Sequence, residues 1–219
     1  MRLKLILNAA KDYNYLLSRN YKRKIALNFV SQHYGLTLSE KMFLLRAVFS
    51  EKVIRERRRK TIEIKRIYDN ILYIDGFNVL ITIMVALIGG CLFLCQDDFI
   101  RDLYSLERKI KITKHMYISL EILLEVLMNL KPRKVIFIFD SPVSYSGEFA
   151  KYVRNRIKSY HIKGNALTAL KTDVELSNKH GIIASSDSLV IDKAKKIVDL
   201  AGFIVKYMSP ERIINLFNV

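Results

Sequence analysis

Three aspartates stand directly after short, continuously apolar runs. Asp75 follows Ile71-Leu72-Tyr73-Ile74, and Asp140 follows Val135-Ile136-Phe137-Ile138-Phe139. Asp187 follows Gly181-Ile182-Ile183-Ala184 by way of Ser185-Ser186. Apolar runs of this length, bounded by polar or glycine residues, read as buried strands. In an open parallel sheet, ligands bind outside the carboxyl ends of the strands, so the three carboxylates are expected to face one crevice. Clustered carboxylates raise one another's pKa, and a divalent cation relieves that repulsion. Hard oxygen donors without histidine or cysteine nearby select Mg²⁺ or Mn²⁺ over Zn²⁺. Two such ions can activate a water and stabilise a leaving oxygen, which is the chemistry of in-line phosphodiester hydrolysis. An aspartate after a strand also serves as a helix N-cap, and Asp187 is placed to cap a helix starting at Ser188.

Other chemistries lack their residues. The chain has no G-x-x-x-x-G-K-S/T or G-x-G-x-x-G phosphate loop and no G-x-S-x-G turn. His33, His115, His161 and His180 are isolated and lack metal-ligand spacing. Cys91 and Cys95 form no C-x-x-C motif and are expected to be buried, reduced thiols.

The elements that must position the aspartates fall in the second part of the chain. Of 219 residues, half are apolar, and the formal charge is +16. Residues 1–66 carry 17 Lys/Arg against 5 Asp/Glu, so the basic excess is an N-terminal property. A field of that sign favours polyanions, nucleic acid first and an anionic membrane surface second. The division predicts a small all-α, basic helical domain with a charged linker over 1–66 and an α/β domain over 67–219. In the first, helical spacing covers 3–17 and 21–34, where Gly35 stops it, and Thr37 or Ser39 can cap a third helix running to Phe49. Helix, Gly-containing turn, helix is the start of a helix-turn-helix and equally of a plain helical bundle. Residues 51–66, with Arg57-Arg58-Arg59-Lys60, read as a charged helix or linker in contact with phosphates. In the second part, Phe203-Ile204-Val205 is taken as a fourth strand. Helical patterns over 117–130, 148–160, 166–179 and 188–200 alternate with the strands and imply a mostly parallel sheet covered on both faces.

Residues 79–95 lack any charge and approach the length of a membrane span. Gly89-Gly90 interrupt them, so a buried helix, a Gly-Gly turn and a strand over 91–95 explain the run. No stable membrane association is expected. The N-terminal apolar run is too short for a signal peptide, which makes a cytoplasmic location the expectation.

Beyond these patterns, Ile74-Asp75-Gly76-Phe77-Asn78-Val79 resembles the opening I-D-G-x-N of the NYN branch of PIN-like ribonuclease domains. Lys171-Thr172-Asp173-Val174-Glu175-Leu176 is similar to that branch's K-x-x-D-V segment, and Ile183-Ala184-Ser185-Ser186-Asp187-Ser188 to its S-x-D turn. Gly202-Phe203-Ile204-Val205 falls where the family's last G-x-x-V strand would be. The resemblance implies a three-layer α/β/α sandwich and Mg²⁺- or Mn²⁺-dependent endoribonuclease activity. It implies Asp75, Asp140, Asp173 and Asp187 as catalytic metal ligands, with Asp192 as an additional ligand. Asn78, Ser185 and Ser186 would touch substrate, while Arg57, Arg58, Arg59 and Lys60 anchor the RNA. RNA is preferred over DNA through the resemblance alone, and a homodimer is left open. The pairing of a basic helical part with such a domain also resembles archaeal proteins of unknown function. Two features depart from the family: Leu189 replaces the second acid of the S-G-D-x-D-F turn, and residues 89–116 match no part of it. The altered turn motivates the alternative of a non-catalytic nucleic-acid-binding protein on the same fold.

Overall fold

A computed structural model describes residues 2–104 and 109–217. Its N-terminal region holds four helices: α1 (Leu3–Ser18), α2 (Arg23–His33), α3 (Leu38–Ala47) and α4 (Glu51–Lys60). In α1 the buried residues Ile6, Ala9, Ala10 and Tyr13 recur at helical spacing and form one face. Thr37 is the cap of α3. Its hydroxyl accepts from the Glu40 amide, and the Glu40 carboxylate accepts from the Thr37 amide at 2.9 Å. Arg2 binds the same carboxylate at 2.6 Å and holds it down to about 2. The buried faces of these helices form one apolar cluster that also takes in Phe93, Cys95 and Leu216.

The rest of the chain is α/β. Strands β1 (Ile71–Asp75), β4 (Lys134–Asp140), β5 (Gly164–Ala169), β6 (Ile182–Ala184) and β7 (Ile197–Val198) make a five-stranded parallel sheet in the order β5-β4-β1-β6-β7. The chain starts in the middle, fills one side with β4 and β5, then crosses over to β6 and β7. The strand order therefore reverses between β1 and β6, the topological switch point at which α/β sheets bind ligands. Asp75 is the last residue of β1 and pairs in register with Ile138 of β4.

Alternate strand residues enter two separate clusters, as the two-residue period of a strand requires. Leu72, Ile74, Val135, Phe137 and Phe139 pack with α5 (Gly76–Leu87), α6 (Lys114–Leu130), α7 (Ser146–Ser159) and α10 (Leu200–Met208). Ile138 and Ile183 pack instead with Leu176 of α8 (Thr172–Ser177) and with Val190 and Ile191 of α9 (Ser188–Lys193). Each fully buried aromatic or branched side chain contributes about 1.5–3 kcal/mol, so these two clusters supply most of the stabilisation.

A second, smaller sheet begins at the end of the uncharged run. Helix α5 buries Phe77 and all of residues 79–86, then yields to a turn at Gly89, whose φ of +76° suits glycine. Strand β2 (Leu92–Leu94) pairs antiparallel with β3 (Ile100–Asp102) and parallel with β8 (Ile213–Asn215). At 1.5 Å per residue, α5 spans about 18 Å, well short of the ~30 Å hydrocarbon core. Among the described residues, no helix is long and apolar enough to cross a membrane.

Four sequence expectations are corrected. Phe203-Ile204-Val205 lies in α10, because the Asp199 carboxylate caps that helix by accepting from the Gly202 amide at 2.8 Å. The last strand of the sheet is instead Ile197–Val198, inside the segment expected to be helical. The helix expected over 166–179 begins only at Thr172, since residues 164–169 are β5. Of the two thiols expected to be buried, Cys95 is buried and Cys91 is exposed. Residues 105–108, within the unmatched 89–116 segment, lie outside the described residues.

Candidate functional site

Asp75 passes directly from β1 into α5 but does not cap that helix. Its carboxylate instead accepts a 2.7 Å hydrogen bond from Ser185 Oγ, and Ser185 Oγ accepts from the Asp187 amide at 3.0 Å. Asn78, in the first turn of α5, places its Oδ1 where the Ser186 amide (2.8 Å) and hydroxyl (3.1 Å) both donate to it. The tips of β1 and β6 are thus stitched together across the switch point by four side chains. Gly76 lets the start of α5 lie close to β4: a Cβ there would stand 2.2 Å from the Phe139 ring.

The other aspartates arrive from neighbouring tips. Asp140 ends β4 and accepts from Thr172 Oγ1 at 2.7 Å. Asp173 sits in the first turn of α8 and meets Lys193 at 3.3 Å. Asp187 caps α9 through Oδ1, accepting from the amides of Leu189 (2.7 Å) and Val190 (3.3 Å). Capping and convergence are therefore compatible for Asp187. A cavity of about 280 Å³ is lined by Asp75, Asn78, Asp140, Asp173 and Asp187, so the sequence-expected set is brought together. Asp102, from β3, lines it too. Its carboxylate accepts from Thr82 Oγ1 and the Tyr104 amide. Sequence reasoning missed Asp102, and its only signal was position in the unmatched 89–116 segment.

Burial raises Asp75 to about 7, and the charges of Asp140 and Asp187 push in the same direction. The Ser185 hydroxyl opposes that rise without cancelling it. A carboxylate desolvated beside two others is the circumstance in which a divalent cation gains most from binding. The donor set is all oxygen, as hard cations require, with no imidazole or thiol on the lining. Among the described residues, no three acidic, imidazole or thiol side chains are already drawn together tightly enough to hold an ion.

Five expected residues lie elsewhere: Asp192, Arg57, Arg58, Arg59 and Lys60. Asp192 does not line the cavity, because its carboxylate is held by Arg57 Nε at 2.7 Å and by the other arm of the guanidinium at 3.0 Å. Arg57, expected to grip RNA, is only 1% exposed. It bridges Asp192 and Asp97 and lies 4.1 Å from the centre of the Phe49 ring. Asp97 in turn accepts from both arms of buried Arg101 at 2.7 Å, and Arg101 Nε donates to the Ser186 carbonyl. Burial opposes the Asp97 charge, but Arg101 and Arg57 overcome it and hold the carboxyl below its ordinary value. The basic run therefore fastens α4 to α9 and to the turn at Asp97. Arg58 pairs with Asp98 at the surface, Lys60 donates to the carbonyls of Ile191 and Asp192, and Arg59 is exposed.

Two family models match separate parts of the chain. Residues 64–203, more than half of it, match the domain of unknown function DUF5616, and residues 5–60 match the protein of unknown function DUF434. The chain belongs to the DUF5616 family. An uncharacterized protein of the archaeon Methanocaldococcus jannaschii is 36% identical over 203 residues, covering 92% of this chain and 97% of the relative. No solved structure matches the chain.

Proposed function

We propose that this DUF5616 protein is an endoribonuclease of PIN-like, NYN-type architecture that uses Mg²⁺ or Mn²⁺ held by the acidic cavity. On this reading the sheet and its two helical coverings form a three-layer α/β/α domain over 67–219, following a basic helical domain over 1–66. The observation that carries the proposal is the set of five aspartates around one cavity at the switch point, with Asp75 desolvated and raised to about 7. The residues fit a hard divalent cation, with Asp75, Asp140, Asp173, Asp187 and Asp102 as its available oxygen donors. When bound, such an ion supplies neutralisation of these charges and activation of water for phosphodiester hydrolysis.

The chain's own groups do the positioning. Ser185 has one proton, and donating it to Asp75 fixes the rotamer of that carboxylate. Asn78 spends its carbonyl on Ser186, which leaves its side-chain N–H groups to donate to a phosphate oxygen. Leu189 and Phe77 add apolar side chains to the lining. The test is cleavage of labelled single-stranded RNA with Mn²⁺ by the parent and by Asp75→Asn. Cleavage by the parent that disappears in the variant, with binding retained, is the expected result. Equal cleavage by the two proteins removes the catalytic proposal.

The exposed Leu189 at the cavity mouth, where the NYN turn it resembles carries an acid, favours a second reading as a non-catalytic RNA-binding protein. EDTA-insensitive binding, with no cleavage of any RNA in Mn²⁺, would establish that reading instead.

A further inference from the structure

A second cavity, of about 330 Å³, adjoins the acidic one and shares Asn78, Asp187 and Leu189 with it. Its other walls carry the opposite charge: Arg23 from the start of α2, Arg46 from the end of α3 and Arg101 from β3. The N-terminal helices thus reach the mouth of the aspartate cavity through arginines outside the 57–60 run.

These three guanidinium groups are not equivalent. Arg101 is committed to Asp97 and to the Ser186 carbonyl, so it shapes the turn. Arg23 donates from one arm to the Leu45 carbonyl and lies 5.0 Å from the centre of the Phe49 ring. Its Nε is buried and, among the described residues, meets no hydrogen-bond acceptor. A buried donor without a protein acceptor is rare, and a charged one favours an anionic partner nearby. Arg46 stands beside it, with burial pressing its guanidinium below the ordinary value. Arg23 and Arg46 therefore both line a concave space that continues into the aspartates, and guanidinium groups on such a wall suit a phosphate.

We infer that this arginine-lined cavity is a phosphate subsite, which holds the backbone phosphate of single-stranded RNA next to the one presented to the aspartates. The inference rests on the proposed nuclease reading for its choice of RNA. It gives the N-terminal helices a role in strand alignment: one phosphate seated on Arg23 and Arg46 fixes which neighbouring linkage reaches Asp75. A phosphate contact positions the strand and carries no sequence preference.

The test measures binding of a short labelled single-stranded RNA, in EDTA, to the full chain carrying Asp75→Asn, across a salt series. Adding Arg23→Gln is expected to weaken binding roughly tenfold, alike for all sequences, as loss of one charge-assisted contact does. The slope of log affinity against log salt should fall by about 0.7, the value for one phosphate on a single strand. Arg23→Lys keeps the charge and should retain the slope. A purely structural Arg23 would lower the melting temperature and leave the slope alone. Should Arg23→Gln fail to fold, Arg46→Gln gives the same readout from the other fork. An unchanged slope in the folded variants overturns the subsite, as does a parent protein that shows no salt-dependent RNA binding. The two proposals separate cleanly. Cleavage with an unchanged slope leaves the nuclease standing without the subsite, and a reduced slope without cleavage does the reverse.

Discussion

Replacing Asp75 with Asn should remove a loss of stability that the parent suffers as the pH rises toward neutrality. In the folded protein the Asp75 carboxyl is raised by burial to about 7 from an ordinary value of 3.8. Between those two values the folded state keeps the proton and the unfolded state has lost it. Stability is therefore fully present below about pH 3.8 and is lost progressively as the pH rises toward 7. Each pKa unit corresponds to about 1.4 kcal/mol, so raising the pH from about 5 to about 8 costs the parent roughly 3 kcal/mol. For a chain of this size that is a fall of about 6–12 °C in melting temperature. An Asn at position 75 has no charge to desolvate and its carbonyl can still accept from Ser185. The variant's advantage over the parent should be roughly 3 kcal/mol larger at pH 8 than at pH 5 in EDTA. Mg²⁺ should close the gap by stabilising only the parent. The assay is urea denaturation at the two pH values, with and without the ion. Parallel pH profiles for the two proteins would refute the claim that Asp75 is a desolvated acid.

The remaining predictions follow from the same contacts. Asp97→Asn removes the charge shared by two buried arginines and should cost about 3–5 kcal/mol in chemical denaturation; a loss below about 1 kcal/mol would show that the network is dispensable. Ser185→Ala removes the hydrogen bond that holds Asp75 down, so the pH at which stability is lost should move upward, as a titration of unfolding free energy would reveal. Gly76→Ala drives a methyl group into the Phe139 ring and should destabilise by about 1–3 kcal/mol while impairing ion binding at Asp75; calorimetry on the folded variant checks both.

The strands that carry Asp75, Asp140 and Asp187 were legible because they are buried on both faces and so read as unbroken apolar runs. Strand β5 was not, because it forms one edge of the sheet and its Gly-Asn-Ala-Leu-Thr-Ala sequence buries only Ala166. Phe203-Ile204-Val205 shows the converse ambiguity: a short apolar run suits a strand or a helix, and the Asp199 cap decides between them. At the site, strand ends revealed three of the acids, and the family resemblance added Asp173. Asp102 escaped both because it comes from β3 of the small sheet, not from a strand of the main parallel sheet whose ends carry the other acids. Arg57 was misread for a related reason. A basic run is ordinarily solvated, and nothing local in sequence announces Asp97 and Asp192 as its partners.

Soaking crystals of the protein in Mn²⁺ and locating the ion by anomalous diffraction tests the central claim most directly. The expected result is a peak inside the cavity bounded by Asp75, Asp140 and Asp187, lost when Asp75 is replaced by Asn. An empty cavity, or a peak that survives that replacement unchanged, would contradict it.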